Sequence, residues 1–135
     1  MDVHSPTTRS YLMSRVRSRD TGPEVCVRRV LHGLGFRYRL QRSPLPGSPD
    51  IVLTRYRTVV FVHGCFWHRH QKCNKSTMPA TNRAFWQAKF AANVARDRRD
   101  YRRLRRLGWK VVIVWECELR NYERLRARLD ARIRN

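Results

Sequence analysis

Residues 58–68 decide the fold, and they read Thr-Val-Val-Phe-Val-His-Gly-Cys-Phe-Trp-His. The first five residues form a continuous apolar run, which is typical of a strand buried on both faces. A second run of this kind, Lys110–Trp115, follows a long helical segment. Strands that alternate with helices indicate an α/β layered domain with a central mixed sheet flanked by helices.

The remaining elements are predicted from caps, periodicity and turn residues. Thr21-Gly22-Pro23-Glu24 is a capping-box pattern with proline in the first turn of a helix. The other predicted elements are a strand at 36–40, a stiff Pro-rich loop at 43–49, a strand at 51–53, a long helix capped by Thr81 and ended by Gly108, and a final helix from about Tyr122.

Composition predicts a polyanionic partner. The 135 residues contain 30 Lys+Arg and 10 Asp+Glu, so the formal net charge is +20, and only four of the cations are lysines. Arginine binds phosphate oxygens in a bidentate manner and stacks on bases, so nucleic acid is the expected partner. A ribosomal or chromatin-type packing protein and a membrane-surface binder remain alternatives.

The size and hydropathy of the chain predict one domain preceded by an arm. The hydrophobic content of 41% is enough for a core and argues against a disordered basic tail. We expect residues 1–20 to form a basic, DNA-contacting arm with a short helix around 8–16, and residues 21–135 to form a single domain. Without a predicted membrane span or signal peptide, we expect a soluble, intracellular protein.

A cluster of cysteine and histidine predicts a metal site. Cys65, His70 and Cys73 lie close together in an irregular segment, and Cys117 follows the strand Lys110–Trp115. A Cys₃His set suits tetrahedral structural zinc, although loose thiols beside a surface histidine are the alternative. Cys26 lies beside the apolar stripe of the first helix and is predicted to be a core thiol.

Three carboxylates occupy unusual positions for so basic a chain. Asp50 begins a strand directly after Pro49, where it is either a Mg²⁺ ligand or a turn residue that hydrogen-bonds its own backbone. Asp97 lies on the inward stripe of the long helix, so it needs a partner such as arginine or a metal-bound water. Glu24 completes the capping box, yet it also lies on the face that looks toward the sheet and Asp50.

Histidines and aromatic residues surround the same segment. His63 and His68 bracket the Gly-Cys-Phe-Trp sequence, and either imidazole suits general acid–base chemistry or a structural role. Phe66, Trp67 and Trp86 suit insertion between bases, with core packing as the alternative. Core packing is the stronger expectation for Trp109 and Trp115, which flank or end a strand.

These motifs resemble the very-short-patch repair (Vsr) mismatch endonucleases over about residues 8–120. The residues that carry the resemblance are His63-Gly64-Cys65-Phe66-Trp67-His68, Pro79-Ala80-Thr81-Asn82, Phe85-Trp86, Lys89, Asn93, Arg96-Asp97, Gly108-Trp109, Trp115-Glu116-Cys117, Pro46-Gly47, Pro49-Asp50 and Arg19-Asp20-Thr21 with Glu24.

The resemblance implies a restriction-endonuclease-like fold and a Mg²⁺-dependent nick of one DNA strand beside a T·G mismatch. The implied catalytic residues are Asp50, His68, His63, Glu24 and Asp97, with Mg²⁺ on Asp50 and the backbone carbonyl of Val62. The implied zinc ligands are Cys65, His70, Cys73 and Cys117. The implied DNA contacts are Met13, Phe66, Trp67, Trp86, Lys89 and Asn93.

Three positions depart from the family pattern. The loop from His68 to Cys73 is one residue longer than usual, so His68 is an alternative to His70 as a zinc ligand. Val62 replaces a threonine, which is harmless if only its carbonyl binds metal. Ser48 stands where an arginine often precedes Pro-Asp, which removes one contact to DNA.

Two other functions fit the same residues. One is a non-catalytic, zinc-stabilised DNA-binding module, and the other is a nuclease that is mismatch-independent or modification-dependent. In each case we expect a monomer in the bacterial cytoplasm that binds double-stranded DNA, with repair-pathway proteins as further partners.

Overall fold

The computed structural model describes residues 21–40 and 45–135. The predicted basic arm, with its short helix and Met13, lies outside these residues. The elements run in the order α1 (Gly22–Gly33), β1 (Arg39–Leu40), β2 (Ile51–Leu53), β3 (Thr58–His63), α2 (Arg83–Arg106), β4 (Lys110–Trp115) and α3 (Tyr122–Arg134), with 3-10 turns at Thr54–Tyr56 and Glu116–Arg120. No helix in the described part of the chain is long and apolar enough to cross a bilayer.

The strands form one mixed sheet in the order β1-β2-β3-β4. β1 and β2 are antiparallel, β2 and β3 are antiparallel, and β3 and β4 are parallel. The mixed sheet predicted from the alternation of strands and helices is therefore confirmed. Ile51 pairs with Val60 at the start of β2, so the start of β2 and the end of β3 lie at the same edge of the sheet.

Both faces of the sheet are covered. α1 and α3 pack on one face through Val30, Leu31 and Leu129, which meet Val60 of β3. α2 packs on the other face, where Leu104 meets Val59, Phe61, Val52 and Val111. Alternate residues of β3 thus belong to different core clusters, which confirms that this strand is buried on both sides.

Two predicted boundaries are wrong. The strand expected at 36–40 forms only at Arg39–Leu40, because its partner β2 is only three residues long. The long helix begins at Arg83, and its N-cap is Asn82 in a left-handed conformation (φ 55°) instead of Thr81. Asparagine tolerates this conformation better than the β-branched threonine does.

The ends of the first helix follow their sequence signals. The Thr21 hydroxyl accepts a hydrogen bond from the backbone N–H of Glu24 at 3.3 Å. Gly35 takes up a positive φ of 85°, and Phe36 donates back to the carbonyl of Leu31 at 3.0 Å. This is the left-handed helix end that glycine favours. Cys26 is half-buried, so its predicted place in the core is wrong.

Candidate active site

The candidate site lies at the sheet edge where β2 begins and β3 ends. A cleft of about 450 Å³ is lined there by Glu24 of α1, Asp50 before β2, His63 at the end of β3, and Trp67 and His68 in the following loop. Three separate segments of the chain thus supply the acidic, basic and aromatic groups of one cleft. The predicted convergence of Glu24 and Asp50 is observed.

Asp50 is fixed by the neighbouring strand and faces a second carboxyl. Its Oδ2 accepts a hydrogen bond from the backbone N–H of Val62 at 2.6 Å. Burial raises the pKa of Asp50, the Val62 N–H opposes that increase, and the adjacent Glu24 carboxyl adds to it. The resulting pKa is about 7. A second carboxyl beside Asp50 makes a site with affinity for a cation, because a cation relieves the repulsion between two negative charges. Arg28, one turn after Glu24, donates to its carboxylate at 3.4 Å.

His68 is oriented by Asp97. Its Nδ1 lies 2.7 Å from Oδ2 of Asp97, which corrects the alternative that arginine is the main partner of this carboxylate. Burial acts to raise the pKa of Asp97, but the hydrogen bond and charge of His68 outweigh it and hold the pKa below its usual value. An ionised carboxylate only accepts hydrogen bonds, so Nδ1 of His68 donates, and in the neutral form of the ring Nε2 is left to accept a proton. Arg96 contributes a weaker contact to Asp97 at 3.9 Å.

His63 is stacked against His68 and held in its neutral form. The two rings are nearly parallel with centroids 3.7 Å apart. Burial, and after it the neighbouring His68, lower the pKa of His63 to about 3. Nε2 of His63 shares a hydrogen bond with the Tyr101 hydroxyl at 2.6 Å.

His63, His68 and Asp97 have ligand atoms within 4.8 Å of one another. The lone pairs of the ring nitrogens lie in the ring planes, however, so in two parallel stacked rings they point side by side. A shared metal ion would need them to converge, so this geometry does not favour one.

The second cluster consists of Cys65, His70, Cys73 and Cys117. Their ligand atoms all lie within 4.8 Å of one another, and Sγ of Cys117 is 3.4 Å from Nδ1 of His70. Ligands of tetrahedral zinc are about 3.5–3.8 Å apart at the usual bond lengths, so this set fits a metal ion. The structure thus brings His70, and not His68, to the thiols despite the longer loop.

The surroundings of this cluster prepare it for a metal. Burial raises the pKa of the Cys65 thiol to about 12, so a bound cation is the ordinary means of holding it as a thiolate. The ring of His70 stacks on Trp115 with centroids 4.3 Å apart. Glu116 accepts a hydrogen bond from the backbone N–H of Cys65 at 3.2 Å. These contacts fix the ligands from outside, as the groups around a structural metal commonly do.

The predicted DNA-contacting aromatics form one half-buried cluster above the cleft. Phe66 lies edge-on to Trp67, with centroids 5.1 Å apart, and Trp67 is 6.0 Å from Trp86. Nζ of Lys89 lies 5.9 Å from the Trp67 ring, and Asn93 donates to the Trp67 carbonyl at 3.3 Å. All five side chains therefore belong to a single surface, which α2 and the loop after β3 share.

Trp109 and Trp115 lie elsewhere. Trp109 packs half-buried against the core cluster under α2, with the guanidinium of Arg57 4.3 Å above its ring. Trp115 lies between the two sites, 5.6 Å from His63 and stacked on His70. Core packing is confirmed for Trp109, whereas Trp115 orients site residues.

The sequence did not single out two residues that hold the site together. Tyr101 is the hydrogen-bond partner of His63, and its place on the inward stripe one turn after Asp97 was the available signal. Arg69 donates to the carbonyls of Phe66, Ser76 and Thr77 and lies 3.9 Å over the ring of Phe90. Phe85 is 60% exposed beside Trp86, where it extends the aromatic cluster.

Comparison with known proteins places this geometry in a family. The family model "DNA mismatch endonuclease Vsr" matches residues 1–75. The chain is 50% identical to the DNA mismatch endonuclease Vsr of Escherichia coli, over 92% of this chain and 79% of that protein. It is 45% identical to the type II nicking enzyme V.NmeAIP of Neisseria meningitidis, over 98% of this chain and 94% of that protein.

A solved structure shows the same fold at low sequence identity. The catalytic domain of the homing endonuclease I-Bth0305I aligns with a TM-score of 0.56 and 18% identity, covering 82% of this chain and 91% of that one. This supports the restriction-endonuclease-like architecture, with a mixed sheet between helices. Together with the matches in sequence, it leads to one assignment: the chain belongs to the Vsr family of DNA mismatch endonucleases.

Proposed function

We propose that this protein is a Mg²⁺-dependent endonuclease that nicks one strand of double-stranded DNA beside a T·G mismatch. The observation that carries the proposal is the single cleft that joins an acidic pair to a carboxylate-oriented histidine. Deamination of 5-methylcytosine produces such mismatches, so the reaction would begin very-short-patch repair. We expect the protein to act as a monomer in the bacterial cytoplasm, where repair-pathway proteins would continue from its nick.

Asp50 and the backbone carbonyl of Val62 are the groups that would hold Mg²⁺, and Glu24 would support its bound waters. Their oxygen donors fit, because Mg²⁺ prefers carboxylate and carbonyl oxygens and keeps positions for phosphate. When bound, Mg²⁺ neutralises charge on the scissile phosphate and on the leaving oxygen. The Val62 N–H holds the Asp50 carboxylate in place.

His68 would act as the general base. Its Nε2 accepts the proton of the attacking water, while its Nδ1–H remains bonded to Asp97 at 2.7 Å. Asp97 stabilises the imidazolium that forms, since its pKa is held low and it stays ionised. His63 supports the His68 ring from one face, and Tyr101 anchors His63.

The aromatic cluster would select the mismatch. Phe66, Trp67 and Trp86 offer flat apolar surfaces beside the cleft, and Lys89 and Asn93 lie next to Trp67. Opening a base step costs a few kcal/mol, and the cost is lowest at a mismatched pair. Met13 would add to this wedge from the arm. The Cys₃His cluster would hold Zn²⁺ in a structural role, since four protein ligands leave no open position.

The test is a nicking assay with Mg²⁺ on duplexes that differ only in a T·G or T·A pair. We expect the parental protein to nick the T·G duplex, and Asp50→Asn and His68→Ala to lose at least 100-fold in rate while binding within threefold of the parental affinity. Glu123→Gln and His32→Ala remove the same chemical groups from exposed positions on α3 and α1, so they are matched controls that nick normally.

Three outcomes would contradict the proposal. Parental rates in Asp50→Asn or His68→Ala would refute their roles. Equal nicking of both duplexes, or a requirement for methylated DNA, would establish a mismatch-independent or modification-dependent nuclease instead. Tight binding without nicking of any mismatch would establish a DNA-binding module.

A further inference from the structure

The outward side of α2 carries a dense array of arginines that the proposed reaction does not use. Seven of the eleven residues in 96–106 are arginine, and all seven are exposed. Asp97, Asp100, Tyr101 and Leu104 point inward from the same segment, so the helix separates its cationic side from its packed side. This positively charged surface begins beside the cleft and runs away from it.

Helical geometry places six of the seven arginines in two rows, with Arg106 between them. At 3.6 residues per turn, Arg96, Arg99 and Arg103 continue the flank on which Lys89 lies. Arg98, Arg102 and Arg105 form a row on the opposite flank. We call these the near row and the far row, and they carry equal charge on one helix.

The near row borders the catalytic cleft. Lys89 at its start lies 5.9 Å from the ring of Trp67, which lines the cleft. Asp100, on the same flank, packs against Gly47, where a Cβ would come within 3.0 Å of the Asp100 Cβ. Gly47 belongs to the loop that delivers Asp50. The far row starts at Arg98, which lines a second hollow together with His68, Asp97 and Trp115. Asp50, Glu24 and Trp67 line the first cleft and not this hollow.

The near-row side chains are available to a partner. Arg96 and Arg99 are 52% and 58% exposed, and their contacts with Asp97 and Asp100 are long, at 3.9 Å and 4.0 Å. Such contacts in water contribute little, so phosphate can replace them. From Lys89 to Arg103 the row spans about 21 Å at 1.5 Å per residue, which is long enough to follow several phosphates of a duplex.

We propose that Arg96, Arg99 and Arg103 form a phosphate-binding track that continues from Lys89 and holds the duplex on one side of the nick. The partner is the backbone of double-stranded DNA, recognised by charge and without regard to sequence. This inference rests on the proposed function in one respect, since the DNA on the track is the substrate in the cleft. The track binds the flanking duplex, whereas Asp50 and His68 act on the scissile phosphate.

The experiment compares two triple variants that remove the same charge from the same helix. Arg96→Gln/Arg99→Gln/Arg103→Gln removes the near row, and Arg98→Gln/Arg102→Gln/Arg105→Gln removes the far row. Dissociation constants are measured for a T·G duplex of about 30 base pairs over a range of salt concentrations. We expect the near-row variant to lower the slope of log K against log[salt] by about 2.7, at about 0.9 per phosphate contact, and the far-row variant by less than 1.

A second measurement distinguishes DNA binding from the rate of nicking. At saturating protein, the single-turnover nicking rate of Arg99→Gln/Arg103→Gln, which keeps Arg96 beside Asp97, stays within threefold of the parental rate, because the track holds DNA that is not reacting. Shortening the duplex on one side of the mismatch weakens parental binding at least tenfold and leaves the near-row variant nearly unchanged. Arg103→Gln alone, farthest from the cleft, lowers the slope by about 1 and serves if the triple variant fails to fold.

Equal slope changes in the two triple variants, or none in either, would overturn the track. Failure of the proposed function is a different result: the parental protein then nicks no T·G duplex, whatever the two rows do to binding. If nicking is specific and the rows are indistinguishable, the track alone is wrong.

Discussion

Asp50 lies between groups that act on its pKa in opposite directions. Burial and the neighbouring Glu24 raise it, the Val62 N–H lowers it, and the result is a pKa of about 7. The usual value in an unfolded chain is about 3.9. The folded protein therefore retains a proton that the unfolded chain releases between these two values, so stability falls as pH rises from about 4 to 7 and the loss is complete above 7.

Replacement of Asp50 by asparagine removes this pH-dependent cost. Asparagine keeps an acceptor for the Val62 N–H, so we expect Asp50→Asn to be more stable than the parental protein at pH 8, by on the order of a few kcal/mol, and to differ much less at pH 4.5. Urea unfolding without added Mg²⁺ at several pH values measures this difference. Exposed Glu123→Gln is the control, and a difference for Asp50→Asn that does not change with pH would contradict the expectation.

Single residues were predictable from sequence where their chemistry stands out from the surroundings. Asp50, Glu24 and Asp97 are few among many arginines, and the structure brings the first two into one cleft and the third against His68. Tyr101 could not be assigned, because its bond to His63 joins residues 38 apart in sequence through the packing of α2 on the sheet.

At the scale of elements, the loop before β2 positions Asp50 through a close contact with α2. Gly47 has a φ of +74°, and a Cβ there would lie 3.0 Å from Cβ and 3.2 Å from Oδ2 of Asp100. The loop can approach the helix this closely only because residue 47 has no side chain. A displacement of the loop moves Asp50 relative to Glu24.

We therefore expect Gly47→Ala to lower stability by roughly 1–3 kcal/mol through its left-handed backbone and the contact with Asp100. Nicking falls at least tenfold, because the acidic pair is no longer aligned. Gly22→Ala is the matched control, since nothing lies within 4 Å of a Cβ at that exposed position. Urea unfolding and the T·G nicking assay measure both effects, and equal behaviour of the two variants would show that the contact does not position Asp50.

Element types were predictable and some boundaries were not. Apolar continuity in β3 and β4 and the inward stripe of α2 are local patterns, and the structure confirms them. The start of α2 depends on the left-handed turn at Asn82, and the length of β1 depends on its partner β2. Both are set by the path of the chain in three dimensions, which periodicity does not report.

At the scale of the whole molecule, the Cys₃His cluster connects the loop after β3 to the end of β4. The parallel pairing of β3 and β4 places Cys65 and Cys117 at the same edge of the sheet, and Cys73 and His70 lie in the loop. This loop also carries Phe66, Trp67 and His68. Its geometry thus determines both the wedge and the general base, so the proposed zinc and the proposed chemistry are linked through one segment.

Loss of one thiol should therefore impair metal content, stability and nicking together. We expect Cys73→Ala to contain less than half a zinc per chain, to unfold roughly 5–10 °C lower, and to nick T·G duplexes at least tenfold more slowly, because the loop loses its connection to the sheet.

Removal of metal from the parental protein by a chelator should give the same three changes, and added zinc should reverse them. Cys26→Ala is the matched control, because Cys26 is a half-buried thiol of α1 outside the cluster. We expect this variant to keep its zinc. Metal analysis, thermal unfolding and the nicking assay measure the three quantities. An unchanged melting temperature after complete removal of zinc would show that the metal does not hold the loop. Arg69 and the Ser76 hydroxyl, which donates to the carbonyls of Cys65 and His70 at 2.8 Å, would then hold it.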